Sequence, residues 1–189
     1  MVSTLKEWDR ELLIYLNNLG TESFDDFWLF VTRIKSWIPL FALLLVVIFF
    51  LLKNRKHGSI VTLTTVFLFG VSFGIMEATK ALVERMRPNN IPDLAEQLRI
   101  LQFPADYSFF SGHAISGFVV TTFLVMVLRR RSQLIHLLWV WPLLFSFSRL
   151  YVGVHFPSDI LVGALLGVFF AWIGYRLLGR RYPEILGNA

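Results

Sequence analysis

Three short stretches of this sequence carry residues whose types and spacing suit work on a phosphate. The first runs from Lys80 to Pro88 and holds Lys80 and Arg87, seven apart. The second is Ser111-Gly112-His113. The third runs from Ser148 to Asp159 and holds Arg149, His155 and Asp159. Together they supply three cations, two imidazoles and a carboxylate in a chain that is otherwise oily. Ionisable groups near membrane segments are costly, so six of them at regular spacing call for a chemical role.

Each stretch suggests its own part of the chemistry. Lys80 and Arg87 face the same way on a continuing helix, which Pro88 is expected to end. Ser111-Gly112, placed just before an apolar run, offers backbone N–H groups at a helix N-terminus, a natural anion site with His113 at its mouth. The planar Arg149 guanidinium suits bidentate grip of phosphate oxygens. His155 and Asp159 share one face if a helix begins near Pro157. A carboxylate beside an imidazole fixes its tautomer and raises its basicity, which suits nucleophilic use.

Taken singly, each stretch has a plainer reading: solvated cations that snorkel at a helix end, a capping histidine, or a His–Asp pair that caps the next helix. Glu84 and Arg85 fit that plainer reading. Taken together, the residues make an inventory for phosphoryl transfer through a covalent enzyme intermediate. Three cations can do the electrostatic work that Mg²⁺ does elsewhere. No Asp, Glu or His cluster at metal-ligand spacing is visible, and His57 and His136 lie toward the other side of their runs. Neither a metal nor another cofactor is expected.

The elements that must position these residues are apolar. Of 189 residues, 56% are hydrophobic, and the mean hydropathy is +0.62. That excludes an ordinary soluble domain and points to a membrane protein. There is no cysteine, so disulfides and thiolate metal sites are excluded. The net charge of +5 sits mostly in short clusters beside apolar runs, a footprint of membrane topology, so no nucleic-acid partner is expected. The N-terminus carries acids and has no long apolar core after it, so no cleavable signal peptide is expected.

Five apolar runs, roughly 37–52, 58–79, 112–128, 132–149 and 159–178, are the expected membrane-spanning helices. Before them, Leu12, Leu13, Leu16 and Leu19, then Phe24, Phe27, Trp28 and Val31, recur at helical spacing. These predict amphipathic helices in the headgroup layer, broken at Gly20-Thr21-Glu22-Ser23 with Thr21 or Ser23 as a cap. The expected fold class is an all-α, integral membrane helical bundle of about five transmembrane helices preceded by interfacial ones. The expected divisions are an N-terminal segment 1–36, a membrane domain 37–182 and a short tail 183–189. Lys53, Arg55 and Lys56, then Arg129, Arg130 and Arg131, then Arg176, Arg180 and Arg181 mark three cytoplasmic ends by the positive-inside rule. The C-terminus is then inside. The 80–112 and 149–158 connections, which carry all three motifs, fall outside.

At these residues the chain resembles the type 2 phosphatidic acid phosphatase (PAP2) superfamily, whose signature is K-x6-R-P, then P-S-G-H, then S-R-x5-H-x3-D. Lys80, Arg87 and Pro88 match, as do Ser148, Arg149, His155 and Asp159. In the middle motif Ser111, Gly112 and His113 match, and Phe110 stands where the family usually has proline. The resemblance implies that His155 is the nucleophile that forms a phosphohistidine, that Asp159 orients it, and that His113 is the general acid. It implies that Lys80, Arg87 and Arg149 bind phosphoryl oxygens, assisted by Ser111 and the Gly112 backbone, with Ser148 supporting.

The expected function is that of a membrane lipid phosphatase, metal-independent. Its substrate would be a lipid phosphate: undecaprenyl diphosphate, phosphatidylglycerol phosphate, phosphatidic acid or a lipid A phosphate. The alternatives are a lipid phosphotransferase using the same site, or a non-catalytic transporter or scaffold. The expected location is a bacterial inner membrane with the site on the periplasmic face. The oligomeric state is not legible. The 89–110 loop is a candidate lid or headgroup reader, with Gln102, Asp106 and Tyr107 as candidate contacts.

Overall fold

The structure is a computed structural model that describes residues 2–187. Among the described residues it is all-helical, with eight α-helices and short 3₁₀ turns. Helix α1 spans Val2–Asn18 and α2 spans Asp25–Thr32. The chain breaks between them at Gly20 to Phe24. Thr21 caps the 3₁₀ turn there through its backbone position only, with no side-chain hydrogen bond, and Phe24 precedes α2, so the expected side-chain cap at Thr21 or Ser23 is not made.

The five apolar runs become α3 (Ile38–Leu52), α4 (Arg55–Val83), α6 (Gly112–Leu128), α7 (Val140–Tyr151, preceded by a 3₁₀ stretch Gln133–Trp139) and α8 (Pro157–Arg181). Helix α5, Pro92–Ala95, is a single turn in the long connection. Four of these segments are long and apolar enough to cross a membrane, and α6 is a shorter apolar helix. At 17 residues, α6 is about 26 Å long, close to the roughly 30 Å hydrocarbon core. It is apolar on nearly every side because it is the central helix, packed against α4, α7 and α8.

The main core joins α3, α4, α6, α7 and α8 through residues such as Leu44, Val61, Phe123, Leu128, Trp141 and Ala171. Outside it, Phe50, Leu63, Phe67 and Leu165 are exposed, as lipid-facing residues should be. Two glycines set the closest approach. A Cβ on Gly163 would lie 2.8 Å from the Ser111 carbonyl oxygen, and one on Gly167 would lie 2.8 Å from that of Ile115. Small residues one turn apart let two membrane helices touch backbone to backbone. This contact seats the second and third turns of α8 against the start of α6.

The basic clusters gather at one end of the bundle. Arg130 Nη1 donates to the Leu186 carbonyl at 3.3 Å. His57 Nε2 lies 3.9 Å from Glu184 Oε1. The α3–α4 turn, the connection after α6 and the end of α8 are therefore neighbours. The 84–111 connection and the 152–156 turn sit at the opposite end.

The N-terminal helices are tied down at that opposite end. Buried Asn17 donates through Nδ2 to the carbonyls of Arg99 (3.1 Å), Leu150 (3.0 Å) and Tyr151 (2.8 Å), and its Oδ1 accepts the Arg99 N–H at 2.7 Å. Arg99 grips Asp25 with its Nη2 at 2.7 and 2.8 Å. One buried amide thus satisfies four backbone groups and locks α1, the long connection and the end of α7 together.

Candidate active site

All three motifs meet at the end of the bundle away from the basic clusters. They do not meet in the way helical spacing suggests for the first pair. Helix α4 ends at Val83, with Glu84 in the left-handed region at φ 48°. Arg87 is extended, with φ −72° and ψ 152°. Lys80 and Arg87 therefore do not share a helix face. The chain unwinds after Lys80 and folds back, and both cations reach the same carboxylate, Asp106. Lys80 Nζ pairs with Asp106 Oδ2, and Arg87 Nη2 donates to Asp106 Oδ1 at 2.8 Å.

Arg87 is buried and held from several sides. Its Nε donates to the Asp106 carbonyl at 2.8 Å. Its Nη1 donates to the Val154 carbonyl at 2.9 Å and lies 3.0 Å from His155 Nε2. Four of its five N–H groups are thereby accounted for.

His155 is presented by a sharp reversal after α7. Val152 N–H bonds back to the Ser148 carbonyl, and Gly153 adopts φ +75°, a conformation costly for a residue with a Cβ. Helix α8 then begins at Pro157, which suits its first position because it lacks an N–H. Asp159 is in the first turn. Its Oδ2 accepts the Phe156 N–H at 3.0 Å and lies 3.2 Å from His155 Nδ1. A carboxylate only accepts, so Nδ1 carries the proton and Nε2 keeps its lone pair, which faces Arg87. Both residues are essentially inaccessible, His155 at 2% and Asp159 at 0% exposure.

Helix α6 supplies the opposite wall. Ser111 is its N-cap, with Oγ accepting the Ala114 N–H at 3.4 Å. The Ser111 N–H donates to the Asp159 carbonyl at 3.1 Å, so the first turns of α6 and α8 are joined at the site. Phe110 is buried against Met76 and Ile115. His113 stacks on Phe145 with ring centroids 4.1 Å apart. Its Nε2 donates to the Thr32 carbonyl at 3.0 Å, because a carbonyl oxygen can only accept. The other nitrogen, Nδ1, is then the one that can exchange a proton. His113 interacts electrostatically with Arg149, His155 and Arg87.

Arg149, on α7, donates through Nη1 to Thr32 Oγ1 at 2.5 Å and to Gln102 Oε1 at 2.8 Å. Its buried Nε has no partner among the described residues. Ser148 donates its hydroxyl to the Phe145 carbonyl of its own helix at 2.7 Å. Of the loop candidates, Gln102 and Asp106 turn onto the motif cations, and Tyr107 is exposed.

Burial pushes the His155 pKa well below its ordinary 6.5, and Arg87, Arg149 and Lys80 push the same way. For Asp106, burial raises the pKa, but Lys80 and Arg87 outweigh it and lower the value to about 2.

Several contacts were not legible in the motifs. Arg85 is not a solvated helix-end residue: its Nη1 donates to Asp159 Oδ1 at 2.7 Å and its Nη2 to Asp9 Oδ2 at 2.7 Å. Asp9, on α1, also accepts the Ser158 N–H at 2.8 Å. Thr32, on α2, holds both Arg149 and His113. No sequence signal marked Asp9 or Thr32, since both lie outside the motifs in ordinary amphipathic segments. Among the described residues no group of three or more His, Cys, Asp or Glu could hold a metal ion.

Comparison with known proteins places the chain in a family. Residues 60–183 match the PAP2 superfamily. The chain is 28% identical to the lipid A 4'-phosphatase of Bacteroides thetaiotaomicron over 181 residues, covering 93% of this chain and 79% of the relative. It is 37% identical to the undecaprenyl-diphosphatase of Sulfolobus acidocaldarius over 172 residues, covering 88% of this chain and 69% of the relative. Its fold matches the crystal structure of the transmembrane PAP2-type phosphatidylglycerolphosphate phosphatase from Bacillus subtilis, with a TM-score of 0.74 over 94% of this chain and 87% of that one at 20% identity. The helical membrane bundle, the three motifs and the match over residues 60–183 thus make this chain an integral membrane phosphatase of the PAP2 superfamily.

Proposed function

We propose that this enzyme removes a terminal phosphate from a membrane lipid through a phosphohistidine on His155. The observation that carries the reading is the convergence of Lys80, Arg87, Arg149, His113, His155 and Asp159 from separate segments at one end of the bundle. The names of the relatives support a lipid phosphate as substrate, and the apolar exterior supports a substrate whose tail stays in the bilayer.

In the first step His155 Nε2 attacks phosphorus and the N–P bond forms. The P–O bond to the leaving group breaks, its electron pair staying on the leaving oxygen, which takes a proton from His113 Nδ1. Asp159 accepts from Nδ1–H of His155 and balances the positive charge that the phosphorylated ring carries. In the second step water attacks the phosphohistidine, gives a proton to His113, and releases inorganic phosphate and free His155. Lys80, Arg87 and Arg149 stabilise the phosphoryl oxygens, assisted by the α6 N-terminus at Ser111-Gly112. Arg87 and the phosphorus compete for the same lone pair on His155, so Arg87 must shift its Nη1 toward a phosphoryl oxygen as substrate enters. Three cations on one phosphoryl group make a metal-independent reaction the reading of choice.

Phosphatidylglycerol phosphate, phosphatidic acid, undecaprenyl diphosphate and lipid A phosphate all share the terminal phosphate that this site would recognise. The basic clusters at the far end support a periplasmic or outer-face site in a bacterial inner membrane. The test is phosphate release by purified protein in detergent from that panel of four lipids. At least one should be hydrolysed, with turnover unchanged by EDTA, and His155→Ala should abolish it with the fold retained. Equal rates for variant and wild type, or loss with EDTA and recovery with Mg²⁺, would overturn the reading.

A further inference from the structure

We propose that Asp106 is the residue by which this site selects terminal, dianionic phosphates and turns away the monoanionic phosphodiester headgroups that surround it in the bilayer. The proposal rests on the phosphatase reading above and adds a specificity determinant to it.

Asp106 lies in the connection between α4 and α6, outside the three motifs. Its carboxylate bridges two of the three motif cations, Lys80 and Arg87. Its own backbone carbonyl takes a third hydrogen bond, from Arg87 Nε. The side chain is nonetheless half exposed, at 49%, so it borders the entrance and does not sit in the core. The two cations keep it ionised far into the acid range. Any phosphoryl group approaching Lys80 and Arg87 therefore meets a fixed negative charge already chelated by both.

The charge balance separates two classes of ligand. Lys80, Arg87 and Arg149 carry three positive charges, and Asp106 cancels one. A phosphodiester brings one negative charge and two non-bridging oxygens. Exchanging it for the carboxylate swaps one monoanion for another, and it must displace a competitor tethered to the same chain, present at high effective concentration. A monoester or terminal diphosphate group brings two charges and three oxygens. Its attraction to the cations is about twice as large at equal distance, and its third oxygen can reach Arg149. A fixed like charge that weakens every anion, but defeats only the singly charged ones, is specificity by repulsion. The enzyme works within a sheet of diester lipids at high local concentration, so this discrimination keeps the site from filling with bystanders.

Gln102 supplies the control. It reaches Arg149 from the same connection at 2.8 Å but carries no charge. Removing it loosens the loop without changing the electrostatics.

The experiment measures inhibition of lipid monoester hydrolysis by phosphatidylglycerol, a monoanionic diester, in mixed detergent micelles. Asp106→Asn keeps the shape and removes the charge. It should lower the inhibition constant of phosphatidylglycerol about tenfold or more. Asp106→Glu should stay near wild type, and Gln102→Ala should move the constant by less than about twofold. An Asp106→Asn value equal to wild type would overturn the proposal, as would an equal shift in Gln102→Ala. If Asp106→Asn does not turn over, binding of fluorescent phosphatidylglycerol to the purified variants decides on the same ratios. That binding comparison remains readable even if no lipid phosphate is hydrolysed, so failure of the phosphatase reading and failure of this proposal are separate results.

Discussion

His155 shows how burial and charge would prepare the proposed nucleophile. Arg87, Arg149 and Lys80 all oppose a proton on its ring, and burial opposes it more strongly. The imidazole therefore stays neutral, with a usable Nε2 lone pair, well into the acid range. The sign follows directly: the folded pKa lies below the unfolded 6.5, so this group's contribution to stability is full above 6.5 and is lost as pH falls below it toward the folded pKa, while activity is lost only as pH passes through the folded pKa itself. The acid limb of kcat/KM should lie below pH 6.5, in a bell whose alkaline limb reports the proton donor. A profile flat from acid to alkaline pH would contradict the division of labour between His155 and His113. At this scale the sequence was legible for Lys80, Arg87, His113, Arg149, His155 and Asp159, because each carries a charge or an imidazole that an apolar chain has little structural use for. It was not legible for Asp9, Thr32 and Arg85. Their contacts join positions 74 to 149 residues apart, and no local periodicity encodes such pairs.

Hydropathy located the helices well, because a run of apolar residues in a membrane has one stable backbone solution. Their ends were less legible. Helix α4 stops at Val83, three residues after the buried Lys80 and well before Pro88, because Glu84 takes the left-handed conformation that closes it. That early stop lets Arg87 turn back toward His155. The α6–α8 contact is the element on which the site depends most. Ser111 and Asp159 are joined through backbone groups across it, and Gly163 sits one turn below. Gly163→Leu would place a Cβ 2.8 Å from the Ser111 carbonyl oxygen, with a larger side chain beyond it. The variant should lose roughly 1–3 kcal/mol of stability by thermal unfolding in detergent. Its kcat should also fall, as the first turns of the two helices separate. Unchanged melting and turnover would show that the contact has slack.

For the whole molecule, the division of labour runs along the bundle. One end collects the basic clusters, and the other collects the motif residues under the loop that carries Gln102 and Asp106. Positive charge in the sequence groups three chain segments at one end, and the contacts of Arg130 and His57 near the C-terminus bring those segments together. The chain has no cysteine, so single cysteines report topology cleanly. Phe103→Cys, in the exposed loop, should react with a membrane-impermeant maleimide added to intact cells, and Ser132→Cys should react only after the membrane is opened. The reverse pattern would invert the orientation.

The central claim concerns one bond, between phosphorus and His155 Nε2. The most direct measurement is rapid quenching of the enzyme with a ³²P-labelled lipid phosphate, followed by mapping of the label. The expected result is an acid-labile, base-stable phosphoryl group on the peptide carrying His155, absent from His155→Ala and longer-lived in His113→Ala. Full turnover with no label on that peptide at any quench time would contradict the claim.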